Sequence, residues 1–222
     1  MKKNLVITID GPAGAGKSTV SKILAKKLGY IYLDTGALYR ALAYKALKNK
    51  IDFNELAALK SLCANTDVIL KNDKGQMKVY VDGENVEGKI RTEEIGLAAS
   101  KISSVAVVRE KLLALQRGTV DGNGVVAEGR DMGSVVFPNA DYKFYLDASL
   151  EERTKRRHQE LLLKGTQKEY QTIQKDMSER DQQDQQRKIA PLKAPHDAIV
   201  IDSSRLSVDE VVQSIISRIS IK

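Results

Sequence analysis

The feature that most constrains the fold lies near the start of the chain, where an apolar run, a glycine-rich loop and an amphipathic stretch follow one another. Leu5–Ile9 is wholly apolar apart from Thr8, as expected for a strand buried on both faces of a parallel sheet. Residues 11–18 read Gly-Pro-Ala-Gly-Ala-Gly-Lys-Ser and match the complete P-loop pattern. Apolar residues then recur at helical spacing, and Gly29 stands where a helix C-cap belongs. This order predicts an α/β protein built around a parallel sheet.

Four later apolar runs have the length and composition of further strands of that sheet. They are Tyr30–Leu33, Val125–Ala127, Tyr142–Leu146 and Ala198–Ile201. Helical patterns lie between them, and near the end of the chain Ser207 and Glu210 fit a capping box that begins the last helix. With the first run, these segments predict a five-stranded parallel sheet flanked by helices and joined by right-handed crossovers.

Two segments interrupt this alternation of strands and helices. Short β-type runs at Val68–Leu70 and Met77–Val81 are separated by turn signals, and they predict a small antiparallel insert. Helices are predicted to follow over residues 92–118, with Thr92 as an N-cap. The segment Glu151–Lys193 is highly charged and carries few apolar residues, so it predicts a solvent-facing helical hairpin.

Composition and charge limit the class of protein. The chain has 222 residues, of which 42% are hydrophobic and 29% charged, the profile of a folded domain of ordinary size. Its formal net charge of +7 fits either a nucleic-acid surface or a pocket for a small polyanion. Nucleic-acid binding should bring a concentrated basic stripe or a reading motif, whereas the lysines here are scattered. The charge therefore favours a small anionic ligand and no nucleic-acid partner.

The start of the chain and its one cysteine indicate a reducing compartment. Lys2 and Lys3 before Leu5–Ile9 imitate a secretory signal, but the apolar run stops at Asp10, too soon for a signal core or a membrane span. Cys63 has no second thiol to pair with, and we interpret it as a small buried apolar residue. The expectation is a cytoplasmic monomer with no membrane partner.

The P-loop predicts that the anionic ligand is a nucleotide. Its glycines allow the backbone to curl so that successive N–H groups point at phosphate oxygens, and the helix N-terminus adds its dipole. Lys17 is expected at the β- and γ-phosphates of ATP, and the Ser18 hydroxyl at Mg²⁺. The alternative, a glycine-rich turn with a solvated lysine, fits poorly with a complete match between a strand and a helix. The expected donor-binding residues are Gly11, Pro12, Ala13, Gly14, Ala15, Gly16, Lys17, Ser18 and Thr19.

A P-loop alone does not separate kinases from GTPases or motor ATPases. Arginines in places where a second phosphate could bind favour a kinase. Residues 34–40 and 128–131 each follow a predicted strand, and each puts a carboxylate and an arginine at the carboxyl end of the sheet. Arg180, Asp184 and Arg187 are spaced to share one helix face. Taken singly, each charge could equally be a surface ion pair or a solvated side chain.

Together these stretches resemble the bacterial cytidylate kinases of the nucleoside monophosphate kinase superfamily. The resemblance covers nearly the whole chain, and its most specific part is Glu-Gly-Arg-Asp-Met-Gly-Ser-Val-Val-Phe-Pro at 128–138. It also includes the P-loop, Asp-Thr-Gly-Ala-Leu-Tyr-Arg at 34–40, Ala-Ala-Ser ending at Ser100 and Ala-Pro-Leu at 190–192. It implies a P-loop kinase fold with three regions: a core domain of 1–35, 104–150 and 190–222, a monophosphate-binding region of 36–103 with a β-insert at about 65–90, and a lid of 151–189.

The resemblance also implies an activity, the transfer of the γ-phosphoryl group of ATP to CMP or dCMP with Mg²⁺. Ser100, Arg109 and Asp131 would contact the cytosine ring, whose N4 amino group suits a carboxylate or hydroxyl and whose N3 and O2 suit an arginine. Asp184 would hold the ribose hydroxyls. Arg40, Arg130 and Arg187 would hold the acceptor phosphate, and Arg153 and Arg157 would close over ATP. Further expected substrate contacts are Thr35, Tyr39 and Arg180.

The predicted mechanism needs no general base, because the attacking phosphate oxygen is already anionic near pH 7. Catalysis would consist of positioning and charge stabilisation by Lys17, Arg130, Arg153, Arg187 and Mg²⁺. Glu128 is a candidate ligand of Mg²⁺ through water, although a structural carboxylate is an equal alternative. Two other hypotheses stay open. One is a P-loop kinase for another nucleoside monophosphate or small metabolite, and the other is a nucleotide-dependent nucleic-acid-binding protein.

Overall fold

The predicted first strand lies in the middle of the sheet in the computed structural model, which describes residues 4–120 and 122–219. Lys2, Lys3 and the last three residues of the predicted core domain lie outside the described residues. The strands are β1 (Val6–Asp10), β2 (Ile31–Asp34), β3 (Val68–Asp73), β4 (Gln76–Val81), β5 (Glu84–Asn85), β6 (Val125–Gly129), β7 (Tyr142–Asp147) and β8 (Ile199–Asp202). The α-helices are α1 (Lys17–Leu28), α2 (Thr35–Lys48), α3 (Leu56–Asn65), α4 (Glu93–Ile102), α5 (Ala106–Gly118), α6 (Leu150–Leu163), α7 (Tyr170–Gln186) and α8 (Val208–Ile216), and a short π-helix spans Met132–Val136.

Five parallel strands form the core of the sheet in the order β2-β6-β1-β7-β8, which confirms the predicted fold class. The register pairs Asp10 with Gly129 and Asp34 with Glu128, so the carboxyl ends of the central strands lie level. Because ligands of open α/β sheets bind at this edge, the residues that follow β1, β2 and β6 are brought to one place.

Helices cover both faces of the sheet, and their ends are formed by the residues that the sequence indicated. Gly29 ends α1 in the left-handed conformation at φ 68°, and Ser207 and Glu210 form the predicted capping box of α8. Leu24 of α1 and Val212 of α8 are fully buried against one face. These contacts fix α1, and with it the P-loop, on the sheet.

The antiparallel insert extends the core sheet and is not separate from it. β3 and β4 pair from Val68–Val81 to Asp73–Gln76, so the hairpin is longer than the two predicted runs. Tyr32 of β2 then pairs with Gln76 of β4, and its N–H donates to the Gly75 carbonyl at 2.9 Å. The insert therefore continues the edge of the parallel sheet, a junction that the sequence did not predict.

Helices α2 to α5 form their own core beside the sheet. The predicted helical stretch 92–118 is divided into α4 and α5 by a turn at Ser103–Val105. Thr92 caps α4 as predicted, because its hydroxyl accepts a hydrogen bond from the Ile95 N–H at 3.3 Å. Cys63 is buried in this core, as expected of a small apolar residue.

The charged hairpin of α6 and α7 is less solvent-facing than predicted. Its inner side buries Leu161, Ile173 and Met177 against Ala13 of the P-loop. Arg187 lies after the last turn of α7 with an extended backbone at ψ 138°, so the predicted helix face stops before it. No helix in residues 4–120 and 122–219 has the length and apolar composition needed to cross a membrane.

Candidate active site

A cavity of about 980 Å³ lies at the carboxyl edge of the parallel sheet, at the large end of the range for small-molecule sites. The P-loop, helices α2 and α4, the turn after β6, and helices α6 and α7 all contribute to its wall. The predicted residues on this wall are Ala13–Thr19, Thr35, Tyr39, Arg40, Ser100, Glu128, Arg130, Asp131, Arg157, Arg180, Asp184 and Arg187. The fold thus gathers segments that are far apart in the sequence around one space.

The P-loop has the curled backbone that its glycines predicted. Gly11, Gly14 and Gly16 have φ values of 147°, 76° and 89°, which other residues rarely adopt. Gly11 also lies against β7, since a Cβ there would be 2.0 Å from the Leu146 carbonyl oxygen. Gly11 and Pro12 form the base of the loop and do not line the cavity.

Lys17 lies inside the loop with its side chain largely buried. Its Nζ donates to the Pro12 carbonyl at 2.6 Å, and the residue is 7% exposed. Burial, and then repulsion by the Arg130 guanidinium, lower the pKa of Lys17 to about 7. An anion bound in the loop would raise the pKa of Lys17 again and so favour its charged form, as expected of a phosphate-binding lysine.

The residues expected at Mg²⁺ lie on the wall between the loop and β6. Ser18 and Glu128 both line the cavity, and Glu128 accepts a hydrogen bond from the Tyr32 hydroxyl. Burial, and then the carboxylate of Asp34 on the neighbouring strand, raise the pKa of Glu128. Within the described residues, no group of three or more His, Cys, Asp and Glu side chains is placed to hold a metal. The Ser18 hydroxyl beside the Glu128 carboxylate nevertheless fits the oxygen ligands that Mg²⁺ prefers.

Asp34, at the carboxyl end of β2, pairs with two arginines. It caps α2 by accepting from the Ala37 N–H at 3.0 Å, and it pairs with Arg40 at 2.8 Å and Arg91 at 2.9 Å. Burial opposes ionisation, but the two guanidinium groups hold the pKa of Asp34 below its usual value. Arg40 is where the sequence predicted it. Arg91 was missed, since no motif in the insert distinguishes it from a solvated arginine.

The group expected to bind the base is built around Asp131, which is 3% exposed. Its carboxylate pairs with Arg109 and lies 3.4 Å from the Arg187 guanidinium. The pKa of Asp131 is raised above its usual value, because the effect of burial exceeds the opposing effects of Arg109 and Arg187. Arg109 lies behind Asp131 and outside the cavity wall, with its guanidinium 5.6 Å from the centre of the Tyr39 ring. Of the three predicted base-binding residues, Ser100 and Asp131 face the cavity and Arg109 supports Asp131.

The acceptor side also concentrates positive charge around Asp184. Arg130 Nε pairs with Asp184 at 2.8 Å, and the Ser100 hydroxyl lies 3.5 Å from the same carboxylate. Within the part of the chain that the structure describes, the buried Nε of Arg180 has no hydrogen-bond partner. Burial and then Arg130 lower the pKa of Arg180 to about 10. Arg40 adds to this repulsion. A bound anion would relieve it, so the cluster suits a second phosphate.

The two lid arginines have different surroundings, and one of them departs from the expectation. Arg157 lines the cavity and pairs with Glu160 at 2.9 Å. Arg153 does not line it: its guanidinium is buried, pairs with Asp181 of α7 and donates to the Ala13 carbonyl at 3.1 Å. Arg153 thus joins α6 to α7 and to the P-loop, and the structure does not place it on the cavity wall as expected.

This arrangement makes Arg153 important for stability. Arg153→Met should lower the free energy of unfolding by about 3 kcal/mol, because Asp181 would remain as a buried carboxylate without its partner. Urea denaturation measures the loss, and Arg157→Met, a half-buried arginine one turn further along α6 that pairs with Glu160 of its own helix, is the matched control. Adding Asp181→Leu to Arg153→Met should restore most of the stability. A single Arg153→Met variant as stable as the wild type would show that these contacts of Arg153 do not stabilise the fold.

Arg156 was not predicted, yet it lines the cavity beside the P-loop. It donates to the Ser203 carbonyl at 2.7 Å and to the Ser203 hydroxyl at 3.1 Å. Ser203 in turn lies 3.3 Å from the Ala15 carbonyl of the loop. The sequence offered no signal for it, because Arg156 and Arg157 are adjacent arginines on one charged helix.

A P-loop on a parallel sheet, facing a cluster of arginines across one cavity, defines a phosphotransferase of the P-loop kinase class. A family model described as cytidylate kinase matches residues 7–221. The chain therefore belongs to the cytidylate kinase family, which confirms the resemblance seen in the sequence, and it is a nucleoside monophosphate kinase with ATP as co-substrate.

Individual relatives agree with this family. The cytidylate kinase of Geobacillus sp. (strain WCH70) is 48% identical over 215 residues, which cover 97% of this chain and 96% of that protein. The cytidylate kinase of Vibrio cholerae is 46% identical, with 98% and 96% covered. Among solved structures, a gluconokinase from Sinorhizobium meliloti superposes with a TM-score of 0.51 at 14% identity and covers 98% of this chain and 92% of its own. An uncharacterized protein from Eubacterium ventriosum has a TM-score of 0.53 at 14% identity, with 99% and 100% covered. These structures support the fold alone.

Proposed function

We propose that this protein transfers the γ-phosphoryl group of ATP to CMP or dCMP, giving CDP or dCDP and ADP. The observation that carries the proposal is the buried Asp131 carboxylate, which faces the same cavity as the P-loop and is backed by Arg109. A carboxylate that can accept a hydrogen bond from a base and a loop that can bind phosphates line one cavity. This combination suits a kinase that phosphorylates a nucleotide.

The donor end of the cavity would hold ATP. The N–H groups of the loop and the α1 N-terminus would bind its phosphates, and Lys17 would leave the Pro12 carbonyl for the β- and γ-phosphate oxygens. Arg156 and Arg157 lie on the adjacent lid wall and would add positive charge. Arg153 would act through the loop, by holding the Ala13 carbonyl.

The acceptor end would hold CMP or dCMP. The Asp131 carboxylate and the Ser100 hydroxyl would accept from the N4 amino group of cytosine, and Asp184 would accept from the ribose hydroxyls. The acceptor phosphate would lie among Arg40, Arg130, Arg180 and Arg187, where it would relieve the repulsion between these cations. Thr35 would contribute to the wall and not to binding, because its hydroxyl already donates to the Glu128 carbonyl at 2.7 Å. Tyr39 would act indirectly, because its ring packs against the guanidinium of Arg109.

Ser18 and Glu128 would hold Mg²⁺, with Glu128 acting directly or through water. When bound, the ion would neutralise charge on the β- and γ-phosphates. No general base is required, because the attacking oxygen belongs to a phosphate. The residues of this chain would lower the barrier by bringing two polyanions together and by stabilising the charge that shifts between them. The lid would exclude water, since an open site would hydrolyse ATP.

A coupled assay of ADP release tests the proposal with a panel of CMP, dCMP, UMP, AMP and GMP, each with and without added nucleic acid. CMP and dCMP should give the largest kcat/KM, and nucleic acid should change none of the rates. A higher kcat/KM for another acceptor would contradict the proposal. The predictions of a cytoplasmic location, a monomeric state and no nucleic-acid partner stay predictions from the sequence.

The role of Asp184 gives a prediction that separates the two substrates. Asp184→Ala should lower kcat/KM for CMP about tenfold more than for dCMP, because only CMP has a 2′-hydroxyl to donate to the carboxylate. The kcat/KM values for both nucleotides should also fall by a common factor, since Arg130 would lose its partner. Steady-state kinetics with the two nucleotides measure the ratio, and Asp176→Asn on the same helix is the control. Equal losses would remove the ribose contact and leave a structural ion pair.

A further inference from the structure

Asp10 is a buried carboxylate that the proposed chemistry does not use. It is the last residue of β1, it immediately precedes Gly11 of the P-loop, and it is 1% exposed. It is absent from the cavity wall, so it does not reach either nucleotide. Burial raises the pKa of Asp10 to about 6, which means that the fold keeps this group at an electrostatic cost.

Both oxygens of Asp10 are engaged by the backbone of the turn that follows β6. Oδ1 accepts from the Met132 N–H and Oδ2 from the Gly133 N–H, each at 2.8 Å. These N–H groups open the short π-helix, where they have no acceptor within the helix. The residue directly before them is Asp131, and the residue before that is Arg130.

The turn is seated on the sheet with little freedom. A Cβ added at Gly133 would lie 3.0 Å from the Thr8 hydroxyl of β1, and one added at Gly129 would lie 2.7 Å from the Thr35 hydroxyl. Asp131 itself has φ −147° and ψ 24°, outside regular helix and strand values. The orientation of its side chain therefore depends on how the following N–H groups are held.

We propose that Asp10 is a positioning residue that sets the acceptor-binding side chains Asp131 and Arg130 relative to the P-loop. One carboxylate joins the strand that carries the donor cradle to the turn that carries the base-binding and phosphate-binding groups. The inference rests on the proposed function, because it assigns Asp131 to the base and Arg130 to the acceptor phosphate. It concerns a contact within the chain, however, and part of its test needs no substrate.

Asp10→Asn is the first test, because the amide can still accept from one N–H but not from both. KM for CMP should rise about tenfold and the CMP-to-UMP ratio of kcat/KM should fall about threefold, since displacements of about 1 Å have large effects on positioned groups. KM for ATP should change less than about twofold, because the Asp10 carboxylate bonds to the turn and not to the loop. Amide hydrogen exchange at Met132 and Gly133 should accelerate in the variant, whatever the acceptor is.

Thr8→Val is the matched control. Thr8 lies on the same strand, is fully buried and packs against the same turn, but its hydroxyl has no hydrogen-bond partner among residues 4–120 and 122–219. It should keep the wild-type KM for CMP, the nucleotide ratio and the exchange rates. Asp10→Ser, a shorter uncharged side chain whose hydroxyl can accept from one N–H, serves if Asp10→Asn does not fold.

The outcomes separate the two proposals. A wild-type enzyme without activity on CMP or dCMP would overturn the proposed function. In that case, amide exchange that accelerates in Asp10→Asn but not in Thr8→Val would still show that Asp10 holds the turn after β6. Equal rises in KM for ATP and CMP with an unchanged nucleotide ratio would overturn the positioning role and leave a purely structural carboxylate. Failure of both Asp10 variants to fold would overturn it as well.

Discussion

Replacing Lys17 with alanine should lower kcat for the phosphorylation of CMP by at least about 10³-fold, the largest effect expected from any single change in this chain. The lysine is the one ammonium inside the P-loop, where it would meet the charge that develops on the transferred phosphoryl group. Because the loop N–H groups would still bind ATP, KM for ATP should change much less than kcat.

The variant should stay folded. Lys17 is buried beside Arg130, and burial lowers its pKa to about 7, so the substitution removes an ammonium that the fold holds at a cost. The substitution removes the hydrogen bond from Lys17 Nζ to the Pro12 carbonyl at 2.6 Å. Thermal denaturation should therefore give a Tm within about 3 °C of the wild type, equivalent to roughly 1 kcal/mol.

Lys26→Ala is the matched control, because Lys26 lies on the same helix and is exposed to solvent. It should keep wild-type kinetics, so that a loss confined to Lys17→Ala reports on the loop. Near-normal turnover of purified Lys17→Ala would show that the P-loop is not the donor site.

Replacing Asp131 should have the second largest effect, and the change should be visible in base selectivity. If the carboxylate accepts from the N4 amino group of cytosine, Asp131→Ala should lower kcat/KM for CMP by about 1.5–3 kcal/mol through that contact. UMP presents a carbonyl oxygen in the same place and gains nothing from the carboxylate. Its activity should fall less or even rise, so the CMP-to-UMP ratio should narrow.

The surroundings of Asp131 add a loss that both nucleotides share. Its carboxylate pairs with Arg109 and approaches Arg187, and both guanidinium groups are largely buried. Removing the carboxylate leaves these cations without their partner, which should lower the free energy of unfolding by an amount on the order of 3–5 kcal/mol for a broken buried pair. A site disturbed in this way should bind and phosphorylate both nucleotides less well. The ratio of the two nucleotides therefore carries the information, and the absolute rate does not.

Asp131→Asn separates the two contributions, since the amide keeps the shape of the side chain but removes its charge. Steady-state kinetics with CMP and UMP should show a narrowed ratio in both variants, with a smaller shared loss for the asparagine. Glu93→Gln, at another acidic position on the cavity wall, is the control and should leave the ratio unchanged. A folded, ATP-binding Asp131 variant with the wild-type ratio would contradict base recognition by this residue.

Features that depend on neighbouring residues were predictable from the sequence. The P-loop, the caps at Thr92 and Ser207, and the end of α1 at Gly29 appear as expected. Each follows from the backbone geometry or hydrogen bonding of a few consecutive residues, which a local pattern records. The five parallel strands were predicted for the same reason, because a strand buried on both faces needs a continuous apolar run.

The residues at the site could be gathered from the sequence only where they belong to recognisable stretches. Arg40, Arg130 and Asp131 lie in two such stretches, and the structure brings both to the cavity. Arg91 and Arg156 lie in segments without a recognisable pattern. Their presence on the wall follows from where the insert and α6 pack, which their own neighbours in the sequence do not indicate.

By itself, the sequence therefore determined the class of fold, the donor cradle and the family. The tertiary structure decided which charged side chains reach the cavity and which hold the fold together. Arg153 is separated from Ala13 by 140 positions and Asp10 from Met132 by 122, yet each pair is joined by a hydrogen bond. A charge on a helix or at a strand end has the same local pattern whether it meets a nucleotide or a backbone carbonyl. Only the packing of distant segments, which sets burial and available partners, distinguishes the two.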